Sequence, residues 1–457
     1  MTDADSRPVA DSDPGPDVDR VPGTDADLVP GLPAGLRARI PGPQDVSALV
    51  RLLAEQRRWA CPAAGGAIDR DSVREVVSGP ASWTRRHVIV EAIPDRGEAM
   101  QGSRGGPDSS SGPGSSGGVG SSRGAGSSSG PGGSSRHDAG RLVASASVHD
   151  RAAGRTMIEV VVDPDASDGD ELAAALFAWA ADAAIGVAHS RGLPGTQLDS
   201  GAYRKDERQQ RWLQAAGYRH VRTWRQEKRP VEAGETAPAL RDGVRLRQVR
   251  THPDGTPVGA DLRTVHDVIE ESFADHFNNH RESLAEFIQR LREDPGHAWD
   301  QWWIAEVTLE HGSSDSAPSS HSSPSSAPTS APTSTVTAGT ARTSDAGDTA
   351  DAGDRDGAGE VTWVPGGALV GSVSPEDAEG FEGSYVDYLG VTRAARGRGV
   401  ARALLWAVIE DASRRGRNRV GLEVDADSPT GADTLYDSMG WRTTYETQSW
   451  HRDLEAP

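Results

Sequence analysis

Two long stretches of the chain run through the same order of elements, and this duplication constrains the fold more than any single motif. After Arg39 the residues IPGPQDVSALVRLLAEQ place Val46, Leu49, Val50 and Leu53 on one helical stripe. After Arg247, QVRTHPDGTPVGADLRTVHDVIEESF does the same with Leu262, Val265, Ile269 and Phe273. Each stretch then offers a strand, HVIVEAI from His87 or WWIAEV from Trp302, and a low-complexity insert. Matching strands follow, GRLVASASVHD and TMIEVVVDPDA in one half, GALVGSVSPED and GSYVDYLGVTRA in the other. Next come the Ala-rich amphipathic helices ELAAALFAWAADAA and VARALLWAVIEDASRR, another strand, and a helix ending in Ala216-Gly217-Tyr218 or Met439-Gly440-Trp441. A last strand rich in Thr, Trp and Arg or Tyr closes each half. The two Gly-aromatic pairs lie too far apart for a solenoid repeat, so the pattern is a duplicated domain. The order α-α-β-β-β-α-β-α-β predicts a mixed α/β fold in each half, a central, mostly antiparallel sheet covered by helices.

Composition sets the domain limits. The chain has 457 residues, 35% hydrophobic and 25% charged, with 53 Gly and 29 Pro. That apolar content is low for a chain folded throughout, and three stretches explain it. Residues 1–34 form an acidic Asp/Pro/Gly tail, 102–135 are almost wholly Gly and Ser, and 311–359 are Ser/Thr/Ala/Pro followed by Asp/Gly. Such stretches bury too little apolar surface to offset the entropy of ordering, so disorder is expected in all three. The expected layout is a first domain over 35–230, a linker over 231–242 (VEAGETAPALRD) and a second domain over 243–457. A formal charge of −20 argues against a whole-surface binder of nucleic acid or acidic membrane. The single cysteine, Cys61, excludes an internal disulfide framework and a Cys-rich zinc site. No run approaches the length of a membrane span and the N-terminus has no apolar signal core, so a soluble cytoplasmic protein is expected.

The chemistry concentrates in Ser384 to Gly416, SYVDYLGVTRAARGRGVARALLWAVIEDASRRG. A strand ending near Val391 runs into the turn Arg396-Gly397-Arg398-Gly399, which opens a helix. Helix N-termini present unpaired N–H groups and partial positive charge, which suit a phosphate. Glycines at 397 and 399 let a diphosphate approach the backbone with no Cβ in the way. Between Val391 and Val420 arginines far outnumber the acids Glu410 and Asp411, a basic island on an acidic chain. A plain strand-to-helix turn with surface arginines is the alternative. A dinucleotide fold fits less well, because the third glycine is missing and the turn comes late in its domain. A Walker A loop is excluded, since no Gly-Lys-Ser/Thr follows.

The run LGVTRAARGRGVARALL resembles motif A of the GNAT superfamily of N-acetyltransferases, Arg/Gln-x-x-Gly-x-Gly/Ala, with Arg396, Gly399 and Ala401 at the fixed positions. Downstream, Ala432, Leu435, Tyr436, Gly440 and Trp441 match the family's Ala-x-x-Leu-Tyr-x-x-x-Gly-Phe/Trp ending. The close match covers roughly Tyr385 to Tyr445; elsewhere only the order of elements agrees. Two such halves resemble the tandem-GNAT proteins, the mycothiol synthase kind among them, with no residue signature for that enzyme itself. The resemblance implies acetyl-CoA as co-substrate, its diphosphate on the backbone N–H groups of Gly397, Arg398, Gly399, Val400 and Ala401. It implies a splayed strand whose free backbone near Leu389, Gly390 and Val391 holds the pantetheine arm and polarises the thioester. Tyr436 matches the family's general acid for the departing thiolate; a phenol keeps its proton at neutral pH. The bland reading of Tyr436 is an aromatic packed in the core. Asp387 and Glu423 are candidate bases for the amine, and either is equally readable as a solvent-facing strand carboxylate. Ser428 stands near the place where many family members carry Asn against the pantetheine.

The first half lacks this equipment. Its corresponding turn, Asp163 to Leu176, has no arginine, one glycine (Gly169), and Asp165, Asp168 and Asp170, which repel a diphosphate. Leu213 stands where Tyr436 does in the repeat. A degenerate domain that supports the fold or shapes the acceptor cleft is expected. In the second half Asp275, His276, Asn278, Asn279 and His280 are placed to line an acceptor site; the two histidines lack a third metal ligand, so no metal is expected. The expected function is direct acetyl transfer to a small-molecule or protein amine in the second half. The alternatives are a non-catalytic acyl-CoA-binding sensor or interaction module and, more weakly, a nucleotide-binding oxidoreductase.

Overall fold

The computed structural model describes residues 28–65, 67–93, 140–151, 154–274, 281–309, 361–427 and 432–455. Ser428, the loop from Asp275 to His280 and both low-complexity inserts lie outside the described residues. The first half contains β1 (Leu36–Arg39), α1 (Val46–Ala60), α2 (Arg70–Ser78), β2 (Arg85–Ala92), β3 (Leu142–Arg151), β4 (Arg155–Val162), α3 (Gly169–Ser190), β5 (Gly195–Tyr203), α4 (Glu207–Ala215) and β6 (Arg219–Pro230). The second contains β7 (Val244–Gln248), α5 (Gly259–Phe273), α6 (Leu284–Arg292), β8 (Trp303–Thr308), β9 (Trp363–Ser374), β10 (Gly383–Val391), α7 (Val400–Arg414), β11 (Arg419–Asp425), α8 (Ala432–Ser438) and β12 (Arg442–Glu455). Each half therefore has the expected order, preceded by one short strand the periodicity reading passed over. The signal was the alternation in Leu-Arg-Ala-Arg and Val-Arg-Leu-Arg: Ala38 turns inward while Arg37 and Arg39 reach Glu91 of β2.

The twelve strands among the described residues form one sheet, in the order β1-β2-β3-β4-β5-β12-β6-β11-β10-β9-β8-β7. The last strands are exchanged between halves. β6 pairs with β11 and β12, both of the second half, while β12 pairs with β5 and β6 of the first. The expectation that a last strand closes its own half is thus corrected. Both strands have the same alternating composition, so nothing local distinguishes closing one's own sheet from closing the partner's.

Helices cover the two faces separately. On one face lie α3 and α7, each over the strands of its own half. Leu172, Leu176 and Phe177 of α3 pack on Val143, Ile158 and Val160, and Leu404, Leu405 and Val408 of α7 pack on Leu369, Val420 and Leu422. On the other face α1 and α2 cover the strands at one end of the sheet, and α5 and α6 cover those at the other. The middle strands carry polar side chains on that second face, and a cleft lies between the helix pairs. A carboxylate bridges it: Glu293, just after α6, accepts from Thr84 (3.2 Å) and Arg85 (3.2 Å) and lies 3.0 Å from His149.

Two further expectations need correction. The tail does not extend to residue 34 as unfolded chain, because Val29 is 2% exposed and Leu28 and Leu32 pack beside it in the first-half core. The sequence Leu-Val-Pro-Gly-Leu-Pro carries enough apolar surface to dock. One helix, α3, is also long and apolar enough to cross a membrane by length and composition. It is a core helix, with Leu172, Leu176, Phe177 and Ala180 buried.

Candidate active site

The site begins where β10 parts from β11. Their parallel pairing runs from Ser384–Val420 to Val386–Leu422 and stops, while β11 continues alongside β6 to Asp425. β10 keeps its other neighbour, β9, as far as Val391, with a bulge at Asp387 between Val386 and Tyr388. The bulge turns the strand locally, and one backbone edge of Leu389, Gly390 and Val391 faces the gap. Gly390 itself is fixed by packing, since a Cβ there would lie 2.9 Å from Ser272 Oγ and 3.0 Å from Ile269 Cδ1 of α5.

Beyond β10, a short 3-10 turn (Arg393–Ala395) leads to Arg396 and then α7. Gly397 (φ 78°) and Gly399 (φ 84°) are left-handed, which only glycine adopts without strain. Among the described residues no backbone acceptor is within reach of the amides of Gly397, Gly399, Val400 and Ala401. The amide of Arg398 makes only a long contact, 3.4 Å, to Ala395 O. Such a run of free amides at a helix start is an anion nest. The arginines divide the work. Arg396 is exposed, whereas Arg398 donates to Thr308 O (2.8 Å), Thr308 Oγ1 (3.0 Å) and Gly243 O (3.3 Å), stapling the turn to the outer strands.

The first half has the same splay and closes it. β4 pairs in parallel with β5 only from Arg155–Gln197 to Met157–Asp199, and β4 has no bulge against β3. Beyond that point side chains fill the gap. Ser200 Oγ donates to Ile158 O (2.9 Å), Gln209 Nε2 to Val160 O (3.3 Å), and Arg208 to Val162 O (3.2 Å) and Pro164 O (3.3 Å). The Arg208 guanidinium stacks between Trp59 (4.3 Å) and Trp212 (4.6 Å), and Trp212 donates to Asp170 Oδ1 in the first turn of α3. Among the described residues no side chain reaches the matching edge of β10. The repeat explains the difference. Counted back from Gly217 and Gly440, Arg208 and Gln209 correspond to Gly431 and Ala432, which have nothing to reach with.

Residues 333–441 match the family model of the Acetyltransferase (GNAT) family. The fold is similar to that of a GCN5-related N-acetyltransferase from Sphaerobacter thermophilus, at 20% identity over 93% of this chain and 97% of that one, with a TM-score of 0.56. The chain carries a GNAT acetyltransferase domain. A tandem GNAT protein from the clavulanic acid biosynthesis pathway is also similar, at 10% identity and a TM-score of 0.49 over 92% of this chain and 98% of that one. No curated protein matches the chain. GNAT enzymes move an acetyl group from acetyl-CoA to an amine acceptor. The free nest and the open strand edge of this GNAT domain fit that co-substrate's diphosphate and amide-bearing arm.

The remaining sequence candidates gather around the splay, on opposite faces of the GNAT sheet. Tyr436 lies on the α7 face, 8% exposed and packed against Trp441 at 6.0 Å between ring centres. Burial, reinforced by the nearby carboxylates Glu227 and Asp433, pushes its phenol up to about 12. Among the described residues nothing accepts its proton. Tyr436 is thus a packed core aromatic whose neutral phenol keeps its proton at neutral pH. Asp387 and Glu423 lie on the cleft face. Burial raises Asp387 to about 7 against a hydrogen bond from Ser372. Glu423 is reached by water but surrounded by protein; desolvation raises its pKa against hydrogen bonds from Gln226 and Thr447.

The sequence reading expected the first half to support the fold or shape the acceptor cleft but named none of its residues in this neighbourhood. Gln226 and Lys228 of β6 line a cavity with Tyr385, Gly421 and Tyr445. Beyond it Tyr445 meets Tyr203 edge-on at 5.8 Å, and Arg57 of α1 donates to the Tyr203 hydroxyl (3.0 Å). Finding these residues required the strand exchange, which places β6 beside β11.

Proposed function

We propose that the chain is an acetyl-CoA-dependent N-acetyltransferase with one active site, in the C-terminal half, and that the N-terminal half has lost the co-substrate site and shapes the acceptor cleft. The contrast between an open strand edge beside β10 and its filled counterpart beside β4 supports this reading above all others. Acetyl-CoA supplies the activated acetyl group. The free amides of Gly397, Gly399, Val400 and Ala401 hold its diphosphate, with Arg396 adding charge, and the edge from Leu389 to Val391 aligns the arm. Asp387, on the cleft face, takes the proton of the incoming amine, with Glu423 as the second carboxylate. Tyr436, on the other face, gives a proton to the leaving sulfur. Acid and base on opposite sides of one gap suit direct transfer, with the amine entering from one face and the thiolate leaving by the other.

Thiol release from acetyl-CoA, screened over small and peptide amines, tests the reading; binding with no release for any amine would make the protein an acyl-CoA sensor. Calorimetric titration is expected to give one acetyl-CoA per chain. Two equivalent sites would contradict the filled groove of the first half. The pH profile is a further test. Asp387 accepts a proton only when ionised and its pKa is raised to about 7, so kcat/KM is expected to rise through about pH 7 and level off above it. Asp387→Asn is expected to remove that limb. A limb left in place would move the base to Glu423.

A further inference from the structure

The exchanged strand β6 presents its side chains alternately to the two faces of the sheet. Arg225, Glu227 and Arg229 turn to the face of α8, where Arg225 bonds Asp433 (2.7 Å) and Arg229 Nε donates to Met439 O (2.7 Å). Gln226 and Lys228 turn to the cleft and line the cavity beside β11, together with Tyr385, Gly421, Tyr445, Ser374 and Arg419. Gly421 sets its floor. A Cβ there would lie 3.0 Å from Tyr385 Cδ2, so glycine lets that ring lie across the strand. The room is about 50 Å³, enough for a carboxylate and little more.

The charges around this cavity do not cancel. Arg419 is engaged by Asp377 Oδ2 (2.9 Å) and Phe381 O (2.8 Å), and nearby Arg57 by Tyr203 Oη (3.0 Å) and Ala67 O (2.9 Å). Lys228 differs from both: among the described residues its ammonium has no hydrogen bond and no ion pair. The carboxylate that faces it, Asp377, is already held by Asn418, Arg419 and the amides of Glu379 and Phe381. Glu227 also borders the cavity, but its carboxylate lies on the α8 side, in contact with Thr443 Oγ1 (3.4 Å). Burial lowers the Lys228 pKa, and Arg419 and Arg57 add to the fall against Asp377, as in a locally positive pocket.

Two residues beyond Gly421 on the same strand is Glu423, and two beyond Tyr385 on β10 is Asp387. The rise of two strand residues puts about 7 Å between the cationic row and this acidic one. We propose that the acceptor is a small amine that carries a carboxylate, with the amine at Asp387 and Glu423 and the carboxylate at Lys228, the specificity-determining residue. The inference rests on the function proposed above. An extended dipeptide spans that rise between its amino group and its carboxylate. Lys228 gives the carboxylate a charge-assisted hydrogen bond, which an uncharged analogue cannot replace. The Tyr385 hydroxyl, with one long contact of 3.4 Å to Gln226 Oε1, is placed as a second donor.

Thiol release with glycylglycine and with glycylglycinamide, alike in shape and different by one charge, tests the proposal, beside other dipeptides and α-amino acids with their amides. The wild type is expected to favour the acids by about tenfold or more in kcat/KM. In Lys228→Gln that ratio is expected to fall to about one, and in Lys228→Arg to survive in part. A wild type that prefers no acid over its amide, or a preference unchanged in Lys228→Gln, would overturn the proposal. A second readout needs no turnover, because Lys205 and Lys228 are the chain's two lysines. Acylation of the full chain by an N-hydroxysuccinimide ester with CoA present, read by mass spectrometry, reports Lys228 against exposed Lys205 as internal reference. Glycylglycine is expected to slow labelling of Lys228 by about threefold or more relative to the same concentration of glycylglycinamide, with Lys205 unchanged. Equal rates at Lys228 would overturn the proposal. A wild type that releases no thiol with any amine would remove the enzymatic reading, and the labelling would still decide whether Lys228 holds a carboxylate.

Discussion

Tyr436→Phe is expected to lower kcat about 100-fold while leaving acetyl-CoA affinity within about twofold. The substitution removes one oxygen and keeps the ring that packs against Trp441 and the apolar cluster beneath α7. Because the Tyr436 hydroxyl has no acceptor among the described residues, its loss leaves no buried partner unsatisfied. The melting temperature should therefore hold within a few degrees. A phenol raised to about 12 is almost wholly protonated at neutral pH. It can give its proton to a thiolate only as negative charge develops on sulfur, so its effect belongs to the transition state and appears in kcat. Equal turnover in the mutant would return Tyr436 to the role of a core aromatic. A fall in affinity alone would mean that it lines the co-substrate groove.

Local features of the second half were legible because they are short-range. The turn Arg396 to Ala401 announces itself by two left-handed glycines and a helix start, and Tyr436 by its distance from Gly440. That the first half lacks the arginine turn and the tyrosine was legible in the sequence. That its splay is filled was not: Arg208, Gln209 and Trp212 look like ordinary residues of an amphipathic helix until the first two are seen on β4 and the third on Asp170 of α3. The sequence offers Arg398 only as a backbone N–H donor, and that its guanidinium is held by Thr308 and Gly243 is visible only in the structure. The ties from Arg225 and Arg229 to α8 were invisible in sequence, because they depend on which half β6 joins, and hydrophobic alternation is identical for either choice.

Made as separate chains, residues 28–230 and 231–457 are each expected to fail to fold stably, and to regain the native state only together. Every ladder of β6 is to the second half, and every ladder of β12 is to the first. The isolated first half would leave β5 as an open edge and β6 without a partner. It would also lack Trp450 of β12, which is 3% exposed and lies in the first-half core. Losing a buried tryptophan alone costs about 3–5 kcal/mol, against total stabilities of about 5–15 kcal/mol for a domain. The second half would lose the bed of α8, with Arg225, Glu227 and Arg229, so Tyr436 would be displaced together with the stability. Circular dichroism and thermal melts of each half, alone and mixed, measure this. A first half that melts cooperatively near the temperature of the full chain would show that the exchange is dispensable. Such a result would also separate the two halves in function, since α8, which carries Tyr436, is tied to the exchanged strand through Arg225 and Arg229.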